Sequence, residues 1–88
     1  MPDYRVDIAD RALKEAMALP AEVRKRLVHA MDDLSKDPRP PAAKRLTGHP
    51  GYRVRKGNYR ILYTIDEEAR TIRIYRLGHR KDVYRRLA

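Results

Sequence analysis

Between Gly51 and Thr64 the chain reads G-Y-R-V-R-K-G-N-Y-R-I-L-Y-T, two runs of strand-forming residues separated by Gly57-Asn58. A two-residue connection of this kind closes a β-hairpin, and its length fixes the register of the strands on either side. This turn commits the middle of the chain to antiparallel sheet. Side chains alternate across a strand, so Arg53 and Arg55 share one face while Tyr52 and Val54 share the other. On the returning strand Tyr59, Ile61, Tyr63 and Ile65 lie on one side and Arg60 on the opposite one. Pairing that puts Arg60 beside Arg53 and Arg55 gathers three guanidinium groups on a single sheet surface. Like charges placed that close weaken a sheet, and an anionic partner is the natural reason to keep them.

The flanking segments supply the layer that covers the other face. Tyr4, Val6 and Ile8 alternate with Arg5 and Asp7, as in a short half-buried strand. Asp10 fits the N-cap of a helix through about Ala18, with Leu13, Ala16 and Met17 on one stripe. Pro20 suits the first turn of a second helix, which runs to about Lys36 with Val23, Leu27, Ala30, Met31 and Leu34 at helical spacing. Asp37-Pro38 ends it, and Pro40-Pro41 stiffens a long connection through Lys44, Arg45, Leu46, Thr47 and His49 to Pro50. After the hairpin, Asp66 to Arg70 is a turn and Thr71 to Leu77 a further strand. The order R-I-Y-R-L breaks alternation near Arg76, so a bulge or the strand end belongs there. Gly78 separates this strand from a short helix from His79 to about Leu87, with Arg80 and Tyr84 four residues apart on one side. The expected fold is α+β, in the order β-α-α-β-β-β-α. It is one domain over residues 1–88, with a small antiparallel sheet, an N-terminal helical hairpin packed on one face and a short C-terminal helix. Tyr52, Tyr59 and Tyr63 fall on the core side.

Charge divides the chain in two. Residues 1–43 carry eight basic and eight acidic side chains, whereas residues 44–88 carry thirteen and four, so the whole net charge of +9 lies in the second half. Fifteen of the 21 basic residues are arginine, whose forked guanidinium suits phosphate. Nucleic acid explains this asymmetry better than a generally basic surface does. The absence of cysteine removes disulfides and thiolate metal sites, and fits a reducing compartment such as the cytoplasm. No apolar run is long enough for a membrane span, and M-P-D-Y-R-V-D is too polar for a secretory signal. The three histidines are dispersed and no carboxylates stand at ligand spacing from them, so neither a metal nor another cofactor is expected.

Three stretches in their order and spacing carry a family resemblance: R-A-L-K-E near the start, L-T-G-H-P-G-Y-R-V-R-K-G-N-Y-R-I-L-Y-T-I-D in the middle and G-H-R-K-D-V-Y-R at the end. Together they resemble the RelE branch of the RelE/ParE toxin superfamily over almost the whole chain. The resemblance implies a toxin of a type II toxin–antitoxin pair that enters the ribosomal A site, cuts mRNA without a metal and is silenced by a cognate antitoxin. It matches Arg53 and Arg55 to the two basic strand positions flanking the scissile phosphate. It matches Arg60 to an arginine of the following strand, Arg80 to the basic residue after the glycine, and Tyr84 to the tyrosine of the terminal helix. Thr47 stands where some members carry a further arginine, with Arg45 two residues earlier. Some members have lysine where Arg53 and Arg55 stand here.

The chemistry follows from the residue types. RNA is cut when its own 2′-hydroxyl attacks the adjacent phosphorus, so a protein need only align the attack, stabilise charge on the phosphoryl oxygens and help protons move. Arginine cannot readily give up a proton, which assigns Arg53, Arg55 and Arg80 to charge stabilisation. Tyr84 is placed to stack on a base or orient the 2′-hydroxyl. Arg60, Arg45, Lys56, Lys81 and Arg85 are the expected RNA-binding cations. His79 adjoins Arg80, but neighbouring helical residues point about 100° apart, so a capping or surface role is the better expectation. His29 and His49 read as a surface and a turn residue. The same residues leave two other readings open: a ParE-like inhibitor of DNA gyrase, and a non-catalytic RNA-binding module. The charge and the helical hairpin suit a small antitoxin whose binding segment is acidic and amphipathic.

Overall fold

The computed structural model describes residues 3–79. The hairpin is as its turn dictates. Strands β3 (Tyr52–Lys56) and β4 (Tyr59–Asp66) pair antiparallel, with Lys56 opposite Tyr59 and Val54 opposite Ile61. Gly57 has φ +60 and Asn58 a negative φ, the pattern of a turn with glycine at its first central position. Around this pair stand β1 (Arg5–Ile8), β2 (Lys44–Arg45) and β5 (Thr71–His79), giving one sheet in the order β1-β5-β4-β3-β2. The helices are α1 (Asp10–Met17) and α2 (Ala21–Lys36). The α+β class holds, but the sheet is mixed: β1 runs parallel to β5, Arg5 beside Thr71 through Ile8 beside Ile74. The helical hairpin carries the chain from β1 to β2 at the opposite edge of the sheet, and β5 then returns between β4 and β1. The short C-terminal helix expected after Gly78 lies outside the described residues. Within them, β5 continues through Gly78 to His79.

The core lies between the sheet and the helices. Leu27, Ala30, Met31 and Leu34 of α2 meet Val54, Ile61, Tyr63, Ile72, Ile74 and Leu77 of the sheet, with Tyr52 and Tyr59 packed at its margin. Two local readings of the helices change. Asp10 is the first helical residue and Ala9 the N-cap, so Asp10 helps through its charge at the helix N-terminus and not by capping. The inward stripe of α1 is Ala12 and Ala16, while Leu13 and Met17 are exposed. Small side chains there let α1 approach the edge of β5 closely. Among the described residues no helix is long and apolar enough to cross a membrane.

The irregularity near Arg76 is a bulge. Leu62 pairs with Arg76 and Tyr63 with Ile74, so Tyr75 is the extra residue of β5. The connection between α2 and β3 is held by tyrosines of the sheet. The Tyr63 hydroxyl donates to the Pro38 carbonyl at 2.7 Å, the Tyr75 hydroxyl donates to that of Pro50 at 2.9 Å, and Arg39 Nε donates to the Tyr52 hydroxyl at 3.2 Å. Burial pushes the Tyr63 phenol up to about 12, while the hydrogen bond from Arg39 lowers that of Tyr52.

Candidate functional site

The face of the sheet turned away from the core carries the cations. In register, Arg55 stands directly opposite Arg60, and Arg53 stands opposite Leu62. On its other side Arg53 faces Lys44 of β2. The surface thus holds two directly opposed like-charge pairs, Arg55–Arg60 and Lys44–Arg53, with Cβ atoms about 5 Å apart in such pairs. Arg55 and Lys44 are exposed, and Arg53 and Arg60 are half-buried. Leu62, between them, is fully buried although it is outside the helix-side core. The next position of β5 on this face is Gly78, opposite Arg60 and without a side chain of its own.

The pairing of the other arginines sets this group apart. Arg39 binds Glu67 at 3.3 Å, Arg73 binds Asp7 at 2.5 Å and Arg76 binds Glu15 at 3.0 Å. No carboxylate of the described residues forms a salt bridge with Lys44, Arg53 or Arg55. Carboxylates thus compensate Arg39, Arg73 and Arg76 but form no salt bridge on the β2–β3 side of this face among the described residues. An arrangement of fixed, uncompensated donors on a sheet is suited to a polyanion whose oxygens accept several hydrogen bonds at once.

The expected residues divide as follows. Arg53, Arg55 and Arg60 come together. Arg45 does not join them: it pairs with Tyr52 on the opposite face and lies over that ring at 5.9 Å. Lys56 shares the parity of Val54, so it also projects to the far side, at the hairpin tip. Alternation along a strand imposes both placements. Arg80, Tyr84, Lys81 and Arg85 lie outside the described residues. His79 is in β5, not in a helix. It stands opposite Tyr59, edge-on to that ring at 5.7 Å between centroids, on the face away from the arginines. Lys44 is the cation that sequence reasoning passed over. Two strand residues inside a proline-bounded connection give no periodicity, and only the parity of Lys44 against Arg53 would have revealed it.

A small α+β fold with a five-stranded sheet and a helical hairpin on its inner face is shared with solved toxins of bacteria and archaea. Residues 6–84 match the family described as ParE toxin of type II toxin–antitoxin system, parDE, and the chain belongs to it, within the RelE/ParE toxin superfamily. It is 37% identical to Toxin RelG of Mycobacterium tuberculosis over 87 residues, which cover 94% of this chain and 98% of the relative. Among solved structures, the RelBE2 toxin–antitoxin complex of Mycobacterium tuberculosis matches with a TM-score of 0.80 at 34% identity, covering 93% of this chain and 97% of that one. The RelE–RelB complex of Pyrococcus horikoshii follows at 0.78 and 29%, covering 91% and 98%. The isolated RelE toxin of Escherichia coli gives 0.76 and 29%, covering 86% and 83%. The chain is a type II toxin of the RelE kind.

Proposed function

We propose that this toxin is a ribosome-dependent mRNA endoribonuclease that cleaves in the A site by metal-independent attack of the RNA 2′-hydroxyl on the neighbouring phosphate. The observation that carries the reading is the double like-charge pairing on one face, Lys44 opposite Arg53 and Arg55 opposite Arg60, with no salt bridge to Lys44, Arg53 or Arg55 among the described residues. A fold keeps such a surface where an anion completes it. In this reading Arg53 and Arg55 neutralise the charge that develops on the phosphoryl oxygens, where one well-aimed donor is worth roughly 10²–10³ in rate. Arg60 and Lys44 hold flanking phosphates. Arg80, which follows His79 directly in sequence, adds a further positive charge, and Tyr84 stacks on a base or orients the attacking hydroxyl. Lys81 and Arg85 contribute phosphate contacts without sequence preference. The protein acts where ribosomes translate, in the cytoplasm.

The partner in this reading is a cognate antitoxin, joined to the toxin in a hetero-oligomer. Its support is that solved relatives from Mycobacterium tuberculosis, Pyrococcus horikoshii and Escherichia coli are toxin–antitoxin complexes. The exposed Leu13, Met17 and Val28 on the two helices, together with the net charge of +9, suit a segment that is amphipathic and acidic. Co-purification with the product of an adjacent small gene checks this, and a toxin that stays alone after co-expression counts against it.

The decisive experiment incubates the purified protein with ribosomes carrying a defined mRNA and maps the 5′ ends produced. Cleavage within the A-site codon, and none of the same mRNA without ribosomes, is the expected result. The match to a ParE toxin family favours one competing reading, inhibition of DNA gyrase without any cleavage. Intact A-site codons together with loss of gyrase supercoiling would establish that reading instead.

A further inference from the structure

Strand β1 pairs with Thr71–Ile74, so among the described residues the β1-side edge of β5 from Tyr75 to His79 has no strand beside it. Helix α1 fills this gap through one side chain. Glu15 accepts the backbone N–H of Leu77 through Oε1 at 3.1 Å, as a neighbouring strand would. The same carboxylate takes Arg76 in a fork: Arg76 Nε donates to Oε1 at 3.2 Å and to Oε2 at 3.0 Å, and Nη2 lies 3.0 Å from Oε2. The Arg76 side chain is 4% exposed and that of Glu15 25%. Arg76 Nη1 is buried with no hydrogen-bond partner among the described residues, so Glu15 alone orients this guanidinium there.

The position of this pair matters because of what adjoins it in register. Arg76 stands opposite Leu62, the residue between the two like-charge pairs, and Gly78 stands opposite Arg60. Beyond His79 the chain continues directly to Arg80. A carboxylate clamped at once to a backbone amide and a buried guanidinium fixes both the height and the tilt of the β5 end. The end of β5 is laddered to β4 on one side, but the bulge at Tyr75 interrupts the register just before it, and Glu15 supplies the fixed contact on the other side. A fork with two parallel bonds is also directional, unlike a simple charge contact.

We propose that Glu15 and Arg76 are positioning residues for the cationic face: their ion pair holds the end of β5, with Arg76 opposite Leu62 and Gly78 opposite Arg60, so that this strand keeps Arg53, Arg55 and Arg60 in a productive geometry. This rests on the ribonuclease reading for its kinetic consequence, though not for its structural one. The test uses the full chain with Glu15→Gln, which keeps the side-chain shape and the acceptor for Leu77 but removes the charge, and with Arg76→Lys, which keeps the charge but removes the fork. Cooperative melting establishes the folded fraction. Ribosome affinity and the single-turnover cleavage rate are measured separately, and amide exchange is followed at Leu77, Gly78 and His79. Both variants are expected to bind ribosomes as the unaltered protein does and to cleave roughly ten- to a hundredfold more slowly, the size of effect that small misplacements produce. Their Leu77–His79 amides are expected to exchange faster while those of β3 do not. A wild-type single-turnover rate in folded Glu15→Gln, or a loss seen only as weaker ribosome binding, overturns the proposal. If Arg76→Lys does not fold, Glu15→Gln decides alone. If the unaltered protein cleaves no mRNA, the ribonuclease reading falls, and unchanged exchange at Leu77–His79 in Glu15→Gln then overturns the positioning role as well.

Discussion

Arg55 and Arg60 face each other across two strands, Arg55 exposed and Arg60 half-buried. Directly opposed like charges destabilise a sheet, so this one gives up stability to keep them. Arg55→Ala should therefore raise the melting temperature slightly while lowering A-site cleavage by about 10²-fold or more. A parallel loss of both would show that Arg55 supports the fold instead. Lys44→Ala should weaken RNA binding regardless of sequence and shallow the salt dependence of log K by about 0.7–0.9, the release of roughly one counterion. Tyr63 works in the opposite sense, entirely for stability. Its phenol is pushed up to about 12, mainly by burial, and its hydroxyl holds the Pro38 carbonyl. A raised folded-state value means the neutral form is favoured by folding. Its contribution is complete below the ordinary phenol range near 10 and is lost as pH rises from about 10 to about 12. Tyr63→Phe should cost about 1–3 kcal/mol at neutral pH through the orphaned carbonyl. It should also flatten the decline between those pH values relative to the unaltered protein, and denaturant melts across that range measure both effects.

At the scale of elements, the turn at Gly57-Asn58 made the hairpin legible down to its register, because only one pairing satisfies a two-residue connection. Helix α2 was equally legible from five apolar positions at helical spacing. Helix α1 was not, since Ala12 and Ala16 give almost no hydrophobic signal against Leu13 and Met17, which point outward. Nothing local marks Lys44–Arg45 as a strand or β1 as parallel to β5, because both are choices made by distant partners. Two glycines show how differently elements depend on a missing side chain. A Cβ at Gly57 would meet no atom within 4 Å, so Gly57→Ala costs only its backbone conformation, about 1–2 kcal/mol. A Cβ at Gly51 would lie 2.1 Å from the Tyr63 carbonyl oxygen, at a residue whose φ is +93. The loop must then withdraw from β4 just where β3 begins. Gly51→Ala is expected to destabilise by clearly more than Gly57→Ala, and chemical denaturation of the two variants compares them directly.

Over the whole molecule, the sequence carried the charge division, the layer order and three members of the cationic face. It could not carry the closure of the sheet. Strand β5 is last among the described elements, yet it lies between β1 and β4 and contributes Ile72, Ile74 and Leu77, all fully buried. These three side chains represent roughly 5–9 kcal/mol of burial, comparable with the entire stability of a domain this size. A chain ending before Thr71 should accordingly be unfolded by circular dichroism and harmless to a host cell. The same topology has a consequence in time. Translation delivers the two helices and the arginine hairpin first, but β1 waits across more than sixty residues for its neighbour. A nascent toxin cannot complete its sheet while β5 is still unmade, so under the proposed ribonuclease function the ribosome that synthesises it is spared until that strand has been translated. Assembly order thus gives the producing cell an interval in which the chain exists and is still inert.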